Sequence, residues 1–273
     1  MSSPLITVAI CSFNGERYLE KTLNSVLAQD YTNFEVIIVD DGSSDDTISI
    51  IERFSCQHKC IRPFFRKNHG LPASRNFAFA QAHGKWIAII DHDDLCYPTR
   101  LSRQLEIAQE NPTAGFIFCN THFIDESDKV ISDQMSRFSL PESFIRKGEA
   151  GNLLLRLGCF VDSESCFIKR ETVQRLGALD ESLRFTCDYE YFIRAGLEVD
   201  FAYSQDILAA WRIHATQATK TFRKIRFEDR IIYWRYFWGK DVTARTKVVL
   251  LKRLLRSFVG EILDGIRLMR IPC

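Results

Sequence analysis

The chain has 273 residues, 46% of them hydrophobic and 12% aromatic, so it can bury a sizeable core and is predicted to be an ordinary globular protein. No stretch reaches the roughly 18 apolar residues of a membrane span, and no signal-peptide pattern opens the chain, which predicts a cytoplasmic, non-spanning protein. The net charge of +1 conceals an asymmetry, because residues 1–219 hold 22 Lys and Arg against 30 Asp and Glu, whereas residues 220–273 hold 14 against 5. This asymmetry predicts a cation-binding or polar site in the body and an anionic surface partner for the tail.

Apolar runs typical of strands alternate with helical patterns over the first hundred residues. Strands are predicted at 5–10, 34–39, 61–66 and 85–90, and helices at 18–27, 47–54 and 72–82. Such alternation predicts an α/β protein with a mostly parallel sheet covered by helices on both faces. Ligands of such sheets bind outside the carboxyl ends of the strands, so the loops at 12–14, 40–43 and 91–94 are expected to face one crevice.

The pattern is less regular in the second half of the chain. A helix is predicted near 98–109, a strand at 115–119, a polar loop at 125–145 and a helix at 187–196, with apolar segments at 153–157 and 164–168 between them. No motif in the 98–185 region indicates a particular substrate.

Three carboxylates follow the fourth predicted strand within four positions, at Asp91, Asp93 and Asp94. Carboxylates this close repel each other and raise each other's pKa unless a cation neutralises them. Oxygen ligands of this kind suit Mg²⁺ or Mn²⁺, with substrate phosphates completing the coordination shell. The alternative is a solvated turn in which Asp94 caps the next helix.

The loop that follows the second strand is also rich in carboxylates. Gly42 allows close approach of the backbone, and a carboxylate at Asp40 or Asp41 can accept hydrogen bonds from a base or a ribose, although Ser44 or Asp45 could simply cap the following helix. The chain contains neither Gly-x-Gly-x-x-Gly after its first strand nor a P-loop motif. Dinucleotide oxidoreductases and P-loop NTPases are therefore disfavoured.

Four motifs in order, at residues 6–15, 35–43, 68–76 and 91–98, resemble the family 2 inverting glycosyltransferases of GT-A fold. The resemblance extends to about residue 217 through segments 176–181, 187–194 and 211–214. It implies a GT-A-like, Rossmann-type domain and a hexosyltransferase of the bacterial polysaccharide type. The Gln-x-x-Arg-Trp motif and the membrane spans of processive synthases are absent from the sequence, which favours transfer of one sugar.

The resemblance also implies roles for individual residues. The nucleotide-sugar donor, expected to be a UDP-sugar, would contact Cys11, Ser12, Phe13, Asn14, Asp41, Gly70, Arg75, Asp91 and His92. Mn²⁺ or Mg²⁺ would be held by Asp91, Asp93 and His214. Asp188 would be the catalytic base, although the family's usual Glu-Asp pair has Cys187 at its first position, and Glu190 is the next candidate. The acceptor would be a saccharide or a lipid-linked saccharide.

Each assignment has a structural alternative. Arg75 could pair with a surface carboxylate, His214 could be a structural histidine, Phe13 could belong to the core, and Asp188 could be only a helix N-cap. Two other functions also remain open. A nucleotidyltransferase would want a Gly-rich basic loop where residues 12–17 stand, and a catalytically silent carbohydrate-binding protein would not need three site carboxylates together.

The domain boundaries follow from the motifs and the charge asymmetry. Residues 1–219 are predicted to form one domain, with a nucleotide-sugar-binding half at 1–98 and an acceptor half at 99–219, followed by a basic amphipathic helical tail at 220–273. The apolar residues of the tail recur at helical spacing, at Val248, Leu251, Leu255, Phe258, Ile262, Ile266 and Met269. They stand beside Lys252, Arg253, Arg256, Arg267 and Arg270.

Such a tail can lie on the anionic inner face of the cell membrane, or it can pack against the domain or against a second subunit in a homodimer. No nucleic-acid partner is expected.

Overall fold

The structure, a computed structural model, describes residues 4–138, 140, 143–215, 217 and 222–268, and for 222–223 and 258–268 it describes the backbone alone. The strands are β1 (Ile6–Ser12), β2 (Phe34–Asp40), β3 (Ile61–Phe65), β4 (Trp86–Asp91), β5 (Leu95–Cys96), β6 (Ala114–Ile124), β7 (Val130–Asp133), β8 (Phe144–Ile145), β9 (Phe167–Lys169) and β10 (Asp200–Arg212). The helices are α1 (Leu19–Leu27), α2 (Thr47–Gln57), α3 (Leu71–Gln81), α4 (Arg100–Glu110), α5 (Glu149–Leu157), α6 (Arg170–Leu176), α7 (Cys187–Glu198), α8 (Phe222–Phe237) and α9 (Ala244–Leu268).

The strands form one sheet in the order β3-β2-β1-β4-β9-β6-β10-β5, with β7 beside β6 and β8 beside β10. The strands β3, β2, β1 and β4 are parallel to one another, as are β6 and β10. Among the described strands, the ones that run against them are short, and β9 is antiparallel to both β4 and β6. The predicted α/β architecture with a mostly parallel sheet is confirmed.

Helices cover both faces of this sheet. Side chains alternate along a strand, so Ile6, Val8 and Ile10 of β1 pack on one side with α1, α2 and α4. Ala9 and Cys11 pack on the other side with α3, α5 and α7. The prediction of helices on both faces is therefore also confirmed.

The prediction of one loop over 125–145 is wrong. The end of β6 turns back through Asp128, which has a φ of +69°, and β7 pairs antiparallel with it. Val130 and Ile131 of β7 are exposed, so this edge hairpin lacks the alternation of buried and exposed residues from which a strand is predicted. The short strand β8 also lies within this range.

The sequence pattern also misses β10, which is thirteen residues long. The polar run 204–206 interrupts its apolar pattern and resembles a turn. In the structure the run falls at a register shift between Ser204 and Ile207, a bulge across which the strand continues. This long strand carries the chain from α7 to the Trp211–His214 segment.

The tail helices pack on the domain. Ile232 and Tyr236 of α8 and Leu250 of α9 are buried in the same core as α5 and α7. The predicted boundary at residue 219 lies outside the described residues, as do Met269 and Arg270 and the side chains of Phe258, Ile262, Ile266 and Arg267. Among the described helices, none combines the length and apolar character needed to cross a membrane.

Candidate active site

Three of the predicted site loops start from one edge of the sheet. Ser12 at the end of β1 is in register with Asp40 at the end of β2, and Cys11 is in register with Asp91 at the end of β4. Because these strands are parallel and adjacent, the residues that follow them emerge side by side. This is the arrangement that the alternation of strands and helices predicts.

A buried arginine joins two of the predicted site carboxylates. Arg75 on α3 is 1% exposed, and its guanidinium donates through Nη2 to Oδ1 of Asp91 and through Nη1 to Oδ1 of Asp188. The hydroxyl of Ser163 lies 3.1 Å from Oδ2 of Asp188 and 3.4 Å from Nη1 of Arg75. Arg75 therefore pairs with two carboxylates of the site and not with a surface carboxylate.

The charges of Arg75 and Asp91 shift each other's pKa values, and the charge of Asp188 shifts both. Burial raises the pKa of Asp91 above its usual value, and the carboxylates of Asp188 and Asp93 add to the rise while Arg75 opposes it. Burial by itself would lower the pKa of Arg75, but the charges of Asp188 and Asp91 raise it well above its usual value. The planar guanidinium thus remains charged and can hold one carboxylate on each of its two terminal nitrogens.

Asp93 and His214 form a second pair. Nε2 of His214 lies 2.8 Å from Oδ2 of Asp93, and both side chains are largely buried. Burial alone would raise the pKa of Asp93, but the hydrogen bond from His214 and the charge of His92 lower it below its usual value. The structure therefore brings two of the three predicted metal ligands together, while Asp91 faces Arg75.

Arg212 holds the loop that carries Asp93. This arginine is fully buried, and its Nε donates to the carbonyl oxygen of Asp93 at 2.8 Å. Its backbone N–H donates to Oδ1 of Asp94 at 2.8 Å, and its Nη1 donates to Asp128. Arg212 thus links β10 and the β6–β7 turn to the carboxylate loop.

Asp94 does not cap the next helix, because α4 begins six residues later with Thr99 at its N-cap position. The side chain is completely buried, and burial raises its pKa well above the usual value, with further contributions from Asp93 and Glu164. Its Oδ2 has no hydrogen-bond partner in the described part of the chain. The solvated-turn alternative for this loop is therefore wrong.

The loop after β1 is bound to the loop after β2. The N–H of Asn14 donates to Oγ of Ser43, and Oδ1 of Asn14 accepts the N–H of Ser44, both at 2.9 Å. Phe13, which precedes Asn14, is 46% exposed, which excludes the core alternative for this residue. Cys11 and Ser12 are almost fully buried, so Phe13 and Asn14 are the accessible ones among the four predicted donor contacts at 11–14.

His92 packs against the same loop. A Cβ on Gly15 would lie 2.4 Å from Cδ2 of His92, so only glycine fits there without a shift. The ring Nδ1 of His92 lies 3.3 Å from the carbonyl oxygen of Cys11. The ring is thereby fixed between the carboxylate loop and the loop after β1.

Asp41 organises the loop before α3. Its Oδ1 accepts the N–H of His69 at 3.0 Å and the hydroxyl of Ser74 at 2.7 Å, and its Oδ2 accepts the N–H of Gly70 at 2.8 Å. Gly70 has a φ of +91°, a region that favours glycine. Both oxygens of Asp41 already bind protein donors, and its contact with a nucleotide stays a prediction.

Sequence reasoning missed two residues of this site. Ser163 stands in a segment without any motif, so no signal marked it. Arg212 lies within the 211–214 motif, so the motif could have marked it as a site residue. The sequence pattern does not show that its side chain is buried against the carboxylate loop. In the described residues, no group of three or more His, Cys, Asp or Glu side chains is already arranged around a metal position.

Asp162, the neighbour of Ser163, predicts a pH dependence of stability. Burial raises its pKa from 3.8 to about 7, so between these values the folded chain binds a proton more tightly than the unfolded chain. This group's contribution to stability is therefore lost as the pH rises from 4 towards 7. The free energy of unfolding of Asp162→Asn, relative to that of the parent, should rise by roughly 2–3 kcal/mol between pH 5 and pH 8, measured by urea unfolding.

The exposed Glu52 provides a matched control, since Glu52→Gln removes a carboxylate on α2, away from the site. Its stability difference from the parent should stay nearly constant over the same pH range. A constant difference for Asp162→Asn as well would contradict the raised pKa.

Comparison with known families and proteins gives consistent matches. The family described as glycosyl transferase family 2 matches residues 7–177. An uncharacterized glycosyltransferase of Rickettsia prowazekii is 27% identical over 265 residues, covering 95% of this chain and 79% of the relative. Another, of Methanocaldococcus jannaschii, is 28% identical over 290 residues and covers 98% of this chain and 95% of the relative.

Two solved structures have a similar fold. S. aureus TarS in complex with UDP-GlcNAc has a TM-score of 0.69 at 18% identity, over 98% of this chain and 76% of that chain. The mannosyltransferase PcManGT from Pyrobaculum calidifontis, in complex with GDP-Man and Mn²⁺, has a TM-score of 0.67 at 16% identity, over 97% and 76% of the two chains.

Proposed function

Because the chain belongs to glycosyl transferase family 2, we propose that it transfers one sugar from a nucleoside diphosphate donor to a hydroxyl acceptor, with inversion at the anomeric carbon. The family and the GT-A-like fold predicted from the sequence are confirmed. We place the reaction in the synthesis of a cell-surface polysaccharide or glycolipid, with a saccharide or lipid-linked saccharide as acceptor.

The observation that carries this proposal is the bridge from Asp91 through Arg75 to Asp188. It joins the carboxylate loop of the donor half to a helix of the acceptor half. A silent carbohydrate-binding protein has no need for a buried charged bridge between these two halves. A nucleotidyltransferase would need a basic phosphate loop after β1, where this chain has Phe13 and Asn14.

In the proposed reaction Asp188 takes the proton of the acceptor hydroxyl as its oxygen attacks the anomeric carbon. The bond from that carbon to the diphosphate breaks, and the nucleoside diphosphate leaves with the bonding electrons. Arg75 and Ser163 orient the Asp188 carboxylate for this step. The attack and the departure occur on opposite sides of one carbon, which inverts its configuration.

The residues present suit a divalent cation, and we propose Mn²⁺ or Mg²⁺ held by Asp93 and His214 with assistance from Asp91. Carboxylate and imidazole donors fit such ions, and Mg²⁺ sites commonly use only one or two carboxylates plus substrate phosphates. Burial raises the pKa of Asp91 and of Asp94, and neighbouring carboxylates add to each rise; a cation at this place would neutralise that negative charge. When bound, the ion would stabilise the charge of the leaving diphosphate.

The nucleoside is proposed to lie on the exposed ring of Phe13, beside Asn14 and the loop of Asp41 and Gly70. UDP is proposed as the nucleotide, and TarS was solved with UDP-GlcNAc, whereas PcManGT was solved with GDP-Man. Thermal unfolding in the presence of Mn²⁺ with UDP, GDP or CMP tests this assignment. We expect UDP to raise the Tm most. If no nucleotide raises the Tm, the proposed class of donor is contradicted.

For the tail we propose contact with the anionic inner face of the cell membrane. Among the tail side chains that the structure describes, the exposed large apolar ones are Val248, Leu251 and Leu255 on α9, Phe227, Ile231 and Trp234 on α8, and Trp238 directly after α8. Leu254 of α9 lines one cavity with Phe227, Ile231 and Trp234, so α9 lies against the exposed apolar residues of α8. Exposed Lys252 and Arg256 stand beside them, a combination typical of helices that bind anionic membrane surfaces.

Flotation with liposomes tests the membrane contact. The full chain should float with anionic vesicles. The partition coefficient of the double variant Trp234→Ser with Trp238→Ser onto these vesicles should be at least roughly tenfold lower, because two large apolar side chains are lost. The matched control is Val130→Ser with Ile131→Ser, which removes exposed apolar residues from the β7 hairpin. Equal flotation of the parent and the Trp variant, or a dimer that buries the tryptophans, would contradict the membrane contact.

A further inference from the structure

We infer that Glu228 on the tail helix α8 is a positioning residue for α7, and that through this helix it sets the place of Asp188. The inference rests on the proposed role of Asp188 as catalytic base. It assigns the tail a part in the active site that neither charge nor periodicity indicates.

The carboxylate of Glu228 binds the segment that leads into α7. Its Oε1 accepts the N–H of Arg184 at 2.9 Å, and its Oε2 accepts the N–H groups of Phe185 at 2.8 Å and Thr186 at 2.9 Å. The hydroxyl of Thr186 also donates to Oε2, at 3.0 Å. Four donors from three consecutive residues thus converge on one side chain, and Asp188 follows two residues later.

In the described part of the chain, this segment lies outside the strands and helices. Residues 184–186 belong to no strand, and the side chain of Thr186 makes no capping hydrogen bond to α7. Glu228 is only 7% exposed, so solvent does not readily replace it as the acceptor. Loss of this carboxylate would leave backbone donors at the start of α7 without their acceptor.

A second contact ties α8 to the same part of α7. The hydroxyl of Tyr236 donates to Oε1 of Glu190 at 2.9 Å, and both residues are buried. Arg235 binds Asp180 at 2.8 Å in the loop before α7. The helix α8 therefore holds the chain both before and after Asp188, while Arg75 and Ser163 hold the Asp188 side chain itself.

The variant Glu228→Gln tests the inference, because it keeps the shape but replaces one acceptor oxygen with a donor amide. Turnover is measured as nucleoside diphosphate release from the UDP- or GDP-sugar that the parent hydrolyses fastest. We expect kcat to fall by roughly 10–100-fold, as for a small displacement of a catalytic group, with donor Kd nearly unchanged. Amide hydrogen exchange at residues 184–186 should be faster in the variant.

The matched control is Asn152→Ala. The Asn152 side chain also holds the tail, since it donates to the carbonyl oxygen of Asp241 at 3.0 Å and accepts the N–H of Thr243 at 2.9 Å. It makes these contacts away from residues 184–190. This control should lower the Tm but leave kcat near the parental value; equal losses of kcat in Asn152→Ala and Glu228→Gln would overturn the inference.

A double-mutant cycle separates positioning from a general effect on the fold. If Glu228 acts through Asp188, then Glu228→Gln should lower the residual rate of Asp188→Asn by less than about twofold. If Glu228→Gln lowers the rate by the same factor in the parent and in Asp188→Asn, the inference is overturned. If Asp188→Asn retains turnover, the base assignment fails and the inference fails with it; if only Glu228→Gln retains turnover, the inference alone fails.

Discussion

Asp188→Asn is expected to lower turnover by roughly 10²–10⁴-fold while donor affinity stays near the parental value. Asn keeps the size of the side chain, its Oδ1 can still accept from Arg75 and its amide nitrogen can donate to Oγ of Ser163, but it cannot take a proton from the acceptor. The fold should survive, because Arg75 retains its ion pair with Asp91. The measurement is kcat for nucleotide release together with donor Kd by calorimetry.

Ser163→Ala is the matched control for this variant, since it removes a hydrogen bond to Asp188 and leaves the carboxylate in place. It should lose far less activity than Asp188→Asn. Near-parental turnover of Asp188→Asn would show that the base lies elsewhere. Glu190, the next candidate from the sequence, is a poor replacement, because its carboxylate is buried and bound by Tyr236 and Arg194.

Asp93→Ala is expected to remove the metal-dependent part of donor affinity. The loss should exceed the roughly 10–100-fold that removal of an outer-shell partner costs a metal site. The folded chain should persist, because the substitution removes one of three neighbouring carboxylates and so relieves repulsion with Asp91 and Asp94. Calorimetric titration of the donor with Mn²⁺ and with EDTA measures the effect.

The control for Asp93→Ala is Asp206→Asn, which removes a carboxylate paired with Arg103 on the surface. Its donor affinity should equal that of the parent under both conditions. If the parent itself binds donor equally well with Mn²⁺ and with EDTA, the metal role of Asp93 is wrong.

The part of the fold from β1 to β4 could be predicted closely, because its buried strands are continuous apolar runs followed by helical patterns. The same logic fails where a strand lies at an edge or is interrupted. In β7 the residues Val130 and Ile131 face solvent, and in β10 the polar run 204–206 hides a bulge. The periodicity of apolar residues indicates which positions are buried, so it does not detect strands that are held by backbone pairing alone.

The site was predictable as a set of loops but not as a set of contacts. Strand-end positions brought Asp91, Asp93 and Phe13 to one edge of the sheet, as the topology requires. The ion pair of Arg75 with Asp188 joins residues 113 positions apart, and the contact of Glu228 with Thr186 joins a tail helix to a loop. No local pattern encodes such pairings, because they depend on how helices pack across the sheet.

Release of nucleoside diphosphate from a panel of UDP- and GDP-sugars, with Mn²⁺ and with EDTA, tests the central claim most directly. The parent should hydrolyse at least one donor with water as the acceptor, EDTA should stop the reaction, and added Mn²⁺ should restore it. Asp188→Asn should bind the same donor but turn it over roughly 10²–10⁴-fold more slowly. Absence of release from every donor, or release that EDTA does not affect, would contradict a metal-dependent glycosyltransferase built on Asp93 and Asp188.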